Sequence, residues 1–521
     1  MRQTQTQRIA ASMLVLGLFA SACGARLTDE QRAAAVSGGE GVTVDAAGPT
    51  TPGVTTPTAP TAPANQPDTS GEAAGPTTPV VTDTTPDAGT DTGADVGTDA
   101  GTDAGTDAGT DTDAGTDAGT DTGTDTGAPA IPADTRSMPA GGNGGATAIG
   151  VNETEIYVGN ISDVSGAVPG LFEAAQLAGK AYVAYHNAAH QTIYGRALRY
   201  LPYDAGMDAG RNRSASIEAC ENAFTNFGSI SPLDQGAAPV IDECNIPDIR
   251  VSATTPQMKA VDNAYSMSPA VDRVEALGQH KYFADNYPEA VQRAAYLYIN
   301  GEVTEKSTQQ TRDAQATIGY EYVYTQPVDI TETNYAPFVL EMIDRDVRYV
   351  AFQGAYQQGV RLAEAMRQQG FEPDVYRLQS NAYVGDYVEV GGTAVEGTFI
   401  TLNTVLFEEA DQHPELQTYL QWLEQVAPGK DPSPQGILAW SAGMLFHEIA
   451  TTIGPNLSRE AVLEQVAQVA GWDGNGLHPP FNIGAREPGD CYLAVQVQSG
   501  AFTRVYPDQG FACGDGVADL R

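Results

Sequence analysis

The stretch that decides the fold runs IYVGNISDVSG from residue 156 to residue 166 and VPGLFEAAQLAGKAYVAYHNAAHQTIYGRALRYLPYD from residue 168 to residue 204. It opens with a β-rich run that ends in a polar loop, Ser162–Gly166. Gly195 separates a helical pattern from a second β run, Ala197–Tyr203. The apolar residues of the helical pattern share one face and are Leu171, Ala174, Ala175, Ala178, Tyr182 and Tyr185. A strand, loop, helix and strand in this order predict a parallel sheet with its ligand loops at the carboxyl ends of the strands.

The same stretch resembles the opening of the leucine/isoleucine/valine-binding protein family, the type I solute-binding proteins of ABC importers. The matching landmarks are, in order, Gly166, Gly179, Asn187, the Gly195-Arg196 pair and Asp204. The resemblance covers about residues 150 to 515. It implies an α/β fold of two doubly wound parallel-sheet lobes with a hinge, within a domain at 149–521. The first lobe is expected at about 149–270 and 404–480, and the second at about 271–403 and 481–521.

The amino-terminal segment predicts export. The chain has 521 residues and a formal net charge of −39, and two arginines precede an apolar run, Met13–Ala20. This run is too short to remain as a membrane-spanning helix. Its order with the following small residues resembles a bacterial lipobox, which implies that residues 1–22 are a signal peptide and that Cys23 carries lipid. The alternative is an ordinary secretory signal that is cut near Ala22.

Residues 23–148 are predicted to be a disordered linker between the lipid and the folded domain. They consist mainly of Gly, Thr, Asp, Ala and Pro, and Thr-Asp-Ala-Gly repeats lie between Asp87 and Gly127. So few large apolar residues cannot offset the entropy of ordering the backbone. The acidic linker carries much of the net charge, so that charge says little about the ligand. Calcium-binding β-roll repeats would need an apolar residue in each repeat, which is missing here.

The cysteines predict disulfide bonds. If Cys23 carries lipid, four cysteines remain, and an even number in an exported protein indicates disulfides. Of the three possible pairings, we predict the local ones, Cys220–Cys244 and Cys491–Cys513, because each joins neighbouring elements. The first pair also resembles a bridge of the family's first lobe. A metal site is the alternative, but no Cys-x-x-Cys or His cluster accompanies these residues.

Two loops of the first half resemble the family's ligand loops. One is TNFGSISP at 225–232, and the other is SATTP at 252–256, after a predicted strand at 245–251. Helix N-termini offer unpaired N–H groups to an anion, and short hydroxyls add hydrogen bonds. The resemblance implies that Ser231, Ala253 and Thr254 hold the α-carboxylate of an amino acid. The alternative is that these residues only cap helices.

Strand and helix patterns alternate again between residues 294 and 402, which predicts the second lobe. The resemblance implies that Tyr356 contacts the ligand and that Glu396 pairs with its ammonium group. The alternatives are inter-lobe packing for Tyr356 and a surface turn for Glu396. Many relatives have a Tyr-Gly pair that covers the ligand after the first strand of this lobe. Asn300-Gly301-Glu302-Val303 stands here instead, so one aromatic wall is missing and the ligand need not be a branched-chain amino acid.

The rest of the chain predicts a return to the first lobe and no catalysis. Two helices, Glu415–Val426 and Gln435–Ile453, should pack on that lobe with Trp440 in its core, and a hairpin follows near residues 493–505. Thr451 stands where a zinc-protease motif would need a second His after His447-Glu448. No Gly-x-Ser-x-Gly elbow, phosphate loop or basic stripe is present.

These patterns together predict a monomeric, extracytoplasmic solute-binding lipoprotein with no enzymatic activity, no cofactor and no metal. It would capture a small polar ligand, an amino acid or a related amide or carboxylate, and deliver it to an ABC permease. The alternatives are a ligand sensor of the same fold without a permease and an exported α/β hydrolase.

Overall fold

The computed structural model describes residues 135–190 and 192–521. The predicted signal peptide, the lipidation site at Cys23 and the linker up to residue 134 lie outside these residues. The described residues fall within one unit, Ala118–Arg521, and form two α/β lobes, as predicted. None of the helices in the described part of the chain has the length and apolar character that a membrane span needs.

Five parallel strands form the sheet of the first lobe in the order β2-β1-β3-β4-β5. These strands are β1 (Glu155–Ser162), β2 (Ala197–Asp204), β3 (Thr225–Phe227), β4 (Asp248–Arg250) and β5 (Ala264–Ser266). The strand order changes direction between β1 and β3. In doubly wound sheets, ligands bind beyond the carboxyl ends of the strands at such a point.

The second lobe has a seven-stranded sheet in the order β13-β12-β11-β10-β9-β7-β8. The remaining strands are β6 (Val274–Ala276), β7 (Ala294–Ile299), β8 (Tyr322–Val328), β9 (Tyr349–Gln353), β10 (Val375–Leu378), β11 (Thr398–Leu402), β12 (Leu493–Gln498), β13 (Ala501–Tyr506) and β14 (Val517–Asp519). The five parallel strands β8-β7-β9-β10-β11 repeat the order of the first lobe, and the predicted hairpin β12–β13 adds antiparallel to β11. β6 pairs with β14 at the end of the chain, outside both sheets.

Helices cover both sheets. The first lobe has α1 (Glu173–Ala189), α2 (Ala209–Asn222), α3 (Ala238–Cys244) and α4 (Pro256–Lys259). The second lobe has α5 (Gly278–Asn286), α6 (Pro288–Val291), α7 (Glu302–Ala316), α8 (Ala336–Asp344), α9 (Tyr356–Gln368) and α10 (Gly385–Gly391). The chain then returns to the first lobe, which also has α11 (Pro414–Val426), α12 (Pro434–Ile453) and α13 (Arg459–Val466). α12 is buried along most of its length and packs on α1, where Tyr182 meets Trp440 edge to face at 5.2 Å between ring centroids. Trp440 therefore lies in the core of the first lobe, as predicted.

Three segments cross between the lobes, at 267–273, 403–413 and 467–492. They are joined by hydrogen bonds, among them Asn403 Nδ2 to Ser268 Oγ at 2.8 Å. Both predicted disulfides are confirmed: Cys220–Cys244 joins α2 to α3, and Cys491–Cys513 joins the third crossing to the C-terminal segment. The crossings lie side by side, which is the arrangement a hinge between two lobes requires.

The segment before β1 packs at the amino ends of the first-lobe strands. Arg196 is fully buried there and donates to the carbonyl oxygens of Asn143, Gly145, Asn152 and Pro455. Further towards the N-terminus, the carbonyl of Thr135 accepts a hydrogen bond from the backbone N–H of Tyr194. The contacts of the domain thus begin upstream of residue 149, where the predicted linker would end.

Candidate functional site

A cavity of about 570 Å³ lies between the two lobes, at the carboxyl ends of their parallel strands. Pockets for small molecules commonly measure about 300–1,000 Å³, so this one has room for such a ligand. Both lobes and all three crossings contribute to its lining. Opening or closing of the hinge would therefore change its shape directly.

A second recess, of about 910 Å³, lies on the outside of the first lobe between β2 and α2. Its walls include Tyr157, Tyr203, Arg211 and Glu218, all from that lobe. It is a shallow and open surface, and hinge motion would not enclose anything in it. We therefore take the smaller cavity between the lobes as the candidate site.

The three predicted residues of the first lobe lie together at this cavity. Ala253 and Thr254 line it directly. Ser231 is buried just behind the lining, and its carbonyl accepts a hydrogen bond from Thr254 Oγ1 at 2.6 Å. Its hydroxyl accepts from the N–H of Leu233 at 3.1 Å, which closes the turn before α3. The family's two ligand loops are thus brought into contact with each other.

The hydrogen-bond donors of these loops already have acceptors within the protein. Asp234, which is fully buried, accepts from the N–H of Thr254 at 2.8 Å and from the N–H of Thr255 at 3.0 Å. It also accepts from Thr255 Oγ1 and from Arg250 Nη2. The N–H of Ala253 donates to Ser266 Oγ at 2.8 Å. A protein carboxylate therefore occupies the N-terminus of α4, where the sequence predicted the carboxylate of a ligand.

The structure does not bring Tyr356 or Glu396 into the cavity. Tyr356 directly follows three lining residues, Gln353, Gly354 and Ala355, but is not part of the lining itself, and its hydroxyl donates to Asp386 at 2.9 Å. Glu396 is exposed and accepts from the N–H groups of Ser499 and Gly500, in the turn of the β12–β13 hairpin. The physical reason is topological, because Glu396 precedes β11 and so lies at the amino end of a parallel strand, whereas the cavity lies at the carboxyl ends.

The second lobe contributes a cation that the sequence did not predict. Arg377, in the middle of β10, is 6% exposed and lines the cavity. Its Nη2 donates to Gln279 Oε1 at 2.7 Å and to Thr401 Oγ1 at 2.9 Å, and its Nε has no partner. Among residues 135–190 and 192–521, no carboxylate forms an ion pair with it. Arg377 is thus a buried cation whose protein partners are all uncharged.

Glu275 and His280 form a hydrogen-bonded pair in the same wall. His280 Nε2 lies 3.3 Å from Glu275 Oε1, and Gln315 Nε2 lies 3.1 Å from His280 Nδ1, an arrangement that fits a neutral imidazole with its proton on Nε2. Burial lowers the pKa of His280. Burial opposes the charge of Glu275, but hydrogen bonds from His280, Gln310 and Thr311 outweigh it and lower the pKa of this carboxyl. The oxygens of Glu275 are therefore engaged within the protein.

Aliphatic residues stand near the predicted gap in the aromatic wall. Ile299 and Val303, on either side of Asn300-Gly301-Glu302, line the cavity. From the first lobe, Leu171 and Phe172 add apolar surface. The cavity thus combines an apolar part with polar groups deeper in the second lobe. The described residues contain no group of three or more His, Cys, Asp or Glu side chains that could hold a metal ion.

A family model described as periplasmic binding protein matches residues 155–501. This chain belongs to that family, and its fold is the one of the leucine/isoleucine/valine-binding type I proteins, as predicted. No curated protein sequence matches it.

Three solved structures illustrate the likeness of the fold. The fatty acid ABC transporter substrate-binding protein from Thermomonospora curvata is 17% identical, with a TM-score of 0.62 over 73% of this chain and 96% of that chain. A solute-binding protein from R. palustris in complex with 4-hydroxybenzoate is 14% identical, with a TM-score of 0.58 over 70% and 98% of the two chains. A branched-chain amino acid transporter substrate-binding protein from Streptococcus pneumoniae in complex with isoleucine is 15% identical, with a TM-score of 0.57 over 68% and 100%. Likeness at these identities concerns the fold alone.

Proposed function

We propose that this chain is a lipid-anchored, extracytoplasmic solute-binding protein that captures a small carboxylate or amide, such as an amino acid, and delivers it to an ABC importer. The observation that carries this proposal is the cavity of about 570 Å³ between two hinged lobes, lined by both. A ligand that contacts both lobes favours their closed arrangement, and the closed surface is the one that a permease would recognise. No chemistry is done on the ligand.

The ligand class is supported by the cavity and by the similar proteins. Isoleucine, fatty acids and 4-hydroxybenzoate, named for the three structures above, are all carboxylates with a compact or extended apolar body. The present cavity likewise offers apolar surface at Leu171, Phe172, Ile299 and Val303 beside polar groups. In our proposal, Ala253 and Thr254 contact the ligand, and Ser231 supports Thr254 from behind.

A thermal melting screen of the purified chain tests solute capture. The panel contains amino acids, short and long fatty acids, aromatic acids and the amides of each. A ligand at a hundred times its Kd should raise the free energy of unfolding by about 2.7 kcal/mol. The bound solute should be recovered unchanged after prolonged incubation. A panel without a single stabilising member would contradict the proposal, and turnover of a solute would favour the hydrolase alternative.

Two further experiments test the anchor and the importer. Cys23→Ser should move the chain from the membrane fraction to the soluble fraction, whereas the nearby control Ser37→Ala should leave it in the membrane. Cells that lack the chain should lose uptake of the identified ligand. Normal uptake together with loss of a cellular response to that ligand would instead favour the sensor alternative.

A further inference from the structure

We infer that the ligand is an anion, in the first instance a carboxylate, whose charged group is bound by Arg377 in the second lobe and not by the helix N-terminus of the first. This inference deepens the proposed function and rests on it. It assigns Arg377 as the specificity-determining residue of the cavity, and it reverses the orientation that the sequence predicted for an amino acid.

The first support is the incomplete environment of Arg377. Taking a guanidinium out of water is costly unless a counter-ion or a full set of acceptors replaces the water. Here Gln279 and Thr401 supply uncharged acceptors for Nη2 alone, and Nε has none. Arg377 nevertheless lines the cavity, so an anion that enters the cavity can reach it. A planar guanidinium also matches a carboxylate with two parallel hydrogen bonds.

The second support is that the N–H and hydroxyl donors of the two first-lobe loops already have acceptors, and the one cation that lines the cavity from the described part of this lobe, Lys259, is partly exposed. The N–H groups of Thr254 and Thr255 donate to Asp234, and the N–H of Ala253 donates to Ser266. The hydroxyl of Thr254 donates to the carbonyl of Ser231. A carboxylate at this place would have to displace a buried aspartate that is also paired with Arg250.

The third support is the charge of the first-lobe loops. Asp163, at the carboxyl end of β1, is fully buried, and its Oδ2 has no partner. Burial and the nearby charges of Asp204 and Asp234 raise the pKa of Asp163. Asp204 and Asp234 are paired with Arg211 and Arg250, whereas no described cation pairs with Asp163, which in its ionised form would repel an anion near the first lobe. The only cation in the second-lobe wall with an unpaired buried N–H, among the described residues that line the cavity, is Arg377.

Matched pairs of acid and amide probes test the inference on the full chain. The pairs are isoleucine and isoleucinamide, hexanoate and hexanamide, and 4-hydroxybenzoate and 4-hydroxybenzamide, with Kd measured by titration calorimetry. For at least one pair, the wild-type chain should bind the acid at least 10-fold more tightly than the amide. Arg377→Gln should weaken that acid about 10- to 100-fold, as expected for loss of a charge-assisted hydrogen bond, and change the amide less than threefold. Arg377→Lys, which keeps the charge, should fall between.

Gln279→Glu tests the same point without removing the buried arginine. It places a carboxylate where Gln279 Oε1 now accepts from Arg377 Nη2, and so supplies an internal counter-ion. The ligand-free melting temperature should rise, and affinity for the acid should fall at least 10-fold. This variant decides the matter if Arg377→Gln fails to fold.

The control is Arg348→Gln, which removes one positive charge from the outside of the same lobe, where Arg348 pairs with Glu289 and Asp374. It should leave every Kd within twofold of wild type. Acids and amides that bind equally, or an acid affinity unchanged in both Arg377→Gln and Gln279→Glu, would overturn the inference while leaving solute capture intact. If no probe binds the wild-type chain, the proposed function fails and the inference fails with it.

Discussion

Asp234 offers a quantitative test of the buried network that organises the first-lobe loops. It accepts four hydrogen bonds, from the two N–H groups of Thr254 and Thr255, from Thr255 Oγ1 and from Arg250 Nη2. Asp234→Asn keeps the shape, loses the charge and replaces one acceptor with a donor. Hydrogen bonds to charged groups contribute about 1.5–3 kcal/mol each, and breaking a buried ion pair costs about 3–5 kcal/mol.

Two compensations reduce this sum. Arg250 keeps its second partner, because Nη1 donates to Asp248 Oδ2 at 3.0 Å, and the new asparagine side chain would still offer one carbonyl oxygen. We therefore expect Asp234→Asn to lower the free energy of unfolding by about 2–4 kcal/mol. An unfolding entropy of about 2.1 cal/mol/K per residue gives about 1.2 °C per kcal/mol for a folded part of roughly 390 residues, so the melting temperature should fall by roughly 2–5 °C.

The assay is thermal and urea unfolding of the full chain, followed by far-ultraviolet circular dichroism. The matched control is Asp242→Asn, which removes the same charge from an exposed position of α3 and should stay within about 0.5 kcal/mol of wild type. If Asp234→Asn melts with the control, the network does not hold the loops. The N–H groups of Thr254 and Thr255 would then be available to a ligand.

Three other changes should have measurable effects. Burial lowers the pKa of His186 to about 3 and of His447 to about 4. Because the unfolded chain then takes up protons at a higher pH than the folded chain, the free energy of unfolding should fall from about pH 6.5 towards pH 4. Urea titrations of His447→Gln should show a smaller fall over this range. Arg459 donates to the carbonyls of Cys220, Ala223, Phe224 and Cys244. Arg459→Leu should therefore lower the free energy of unfolding by roughly 2–4 kcal/mol, measured as a lower urea midpoint at constant m. In Gly443→Ala, the new methyl group would meet the ring of Tyr182. This change should lower the free energy of unfolding by about 1–3 kcal/mol in the same assay. An unchanged free energy would mean that α1 and α12 can move apart.

Continuous apolar runs made most of the fold predictable. β7, β9 and β11 are such runs, and each is a buried parallel strand. β10 was not predicted, because it has only four residues and carries Arg377 at its centre. The β6–β14 pair was not predicted either, because its two short strands lie far apart in the sequence and pair only after the chain has folded.

The candidate site was less predictable, because it depends on which end of a strand a residue occupies and on which side chains are buried. The family resemblance supplied Ser231, Ala253 and Thr254, and they lie at the cavity edge after strands of the first lobe, as strand polarity requires. Strand polarity could also have excluded Glu396, which precedes β11. Arg377 comes from within a strand, and no sequence pattern reveals that a buried guanidinium lacks a counter-ion. The occupation of the Thr254 and Thr255 N–H groups by Asp234 depends likewise on a tertiary contact over about twenty residues.

The burial of Arg196 fixes where the chain before β1 meets the first lobe. Through Arg196 the backbone of residues 143–145 is fastened to the base of the first lobe, at the amino ends of its strands. The opening between the lobes is at the other end of those strands. The chain before β1 therefore joins the first lobe at the end opposite the cavity, away from the opening between the lobes.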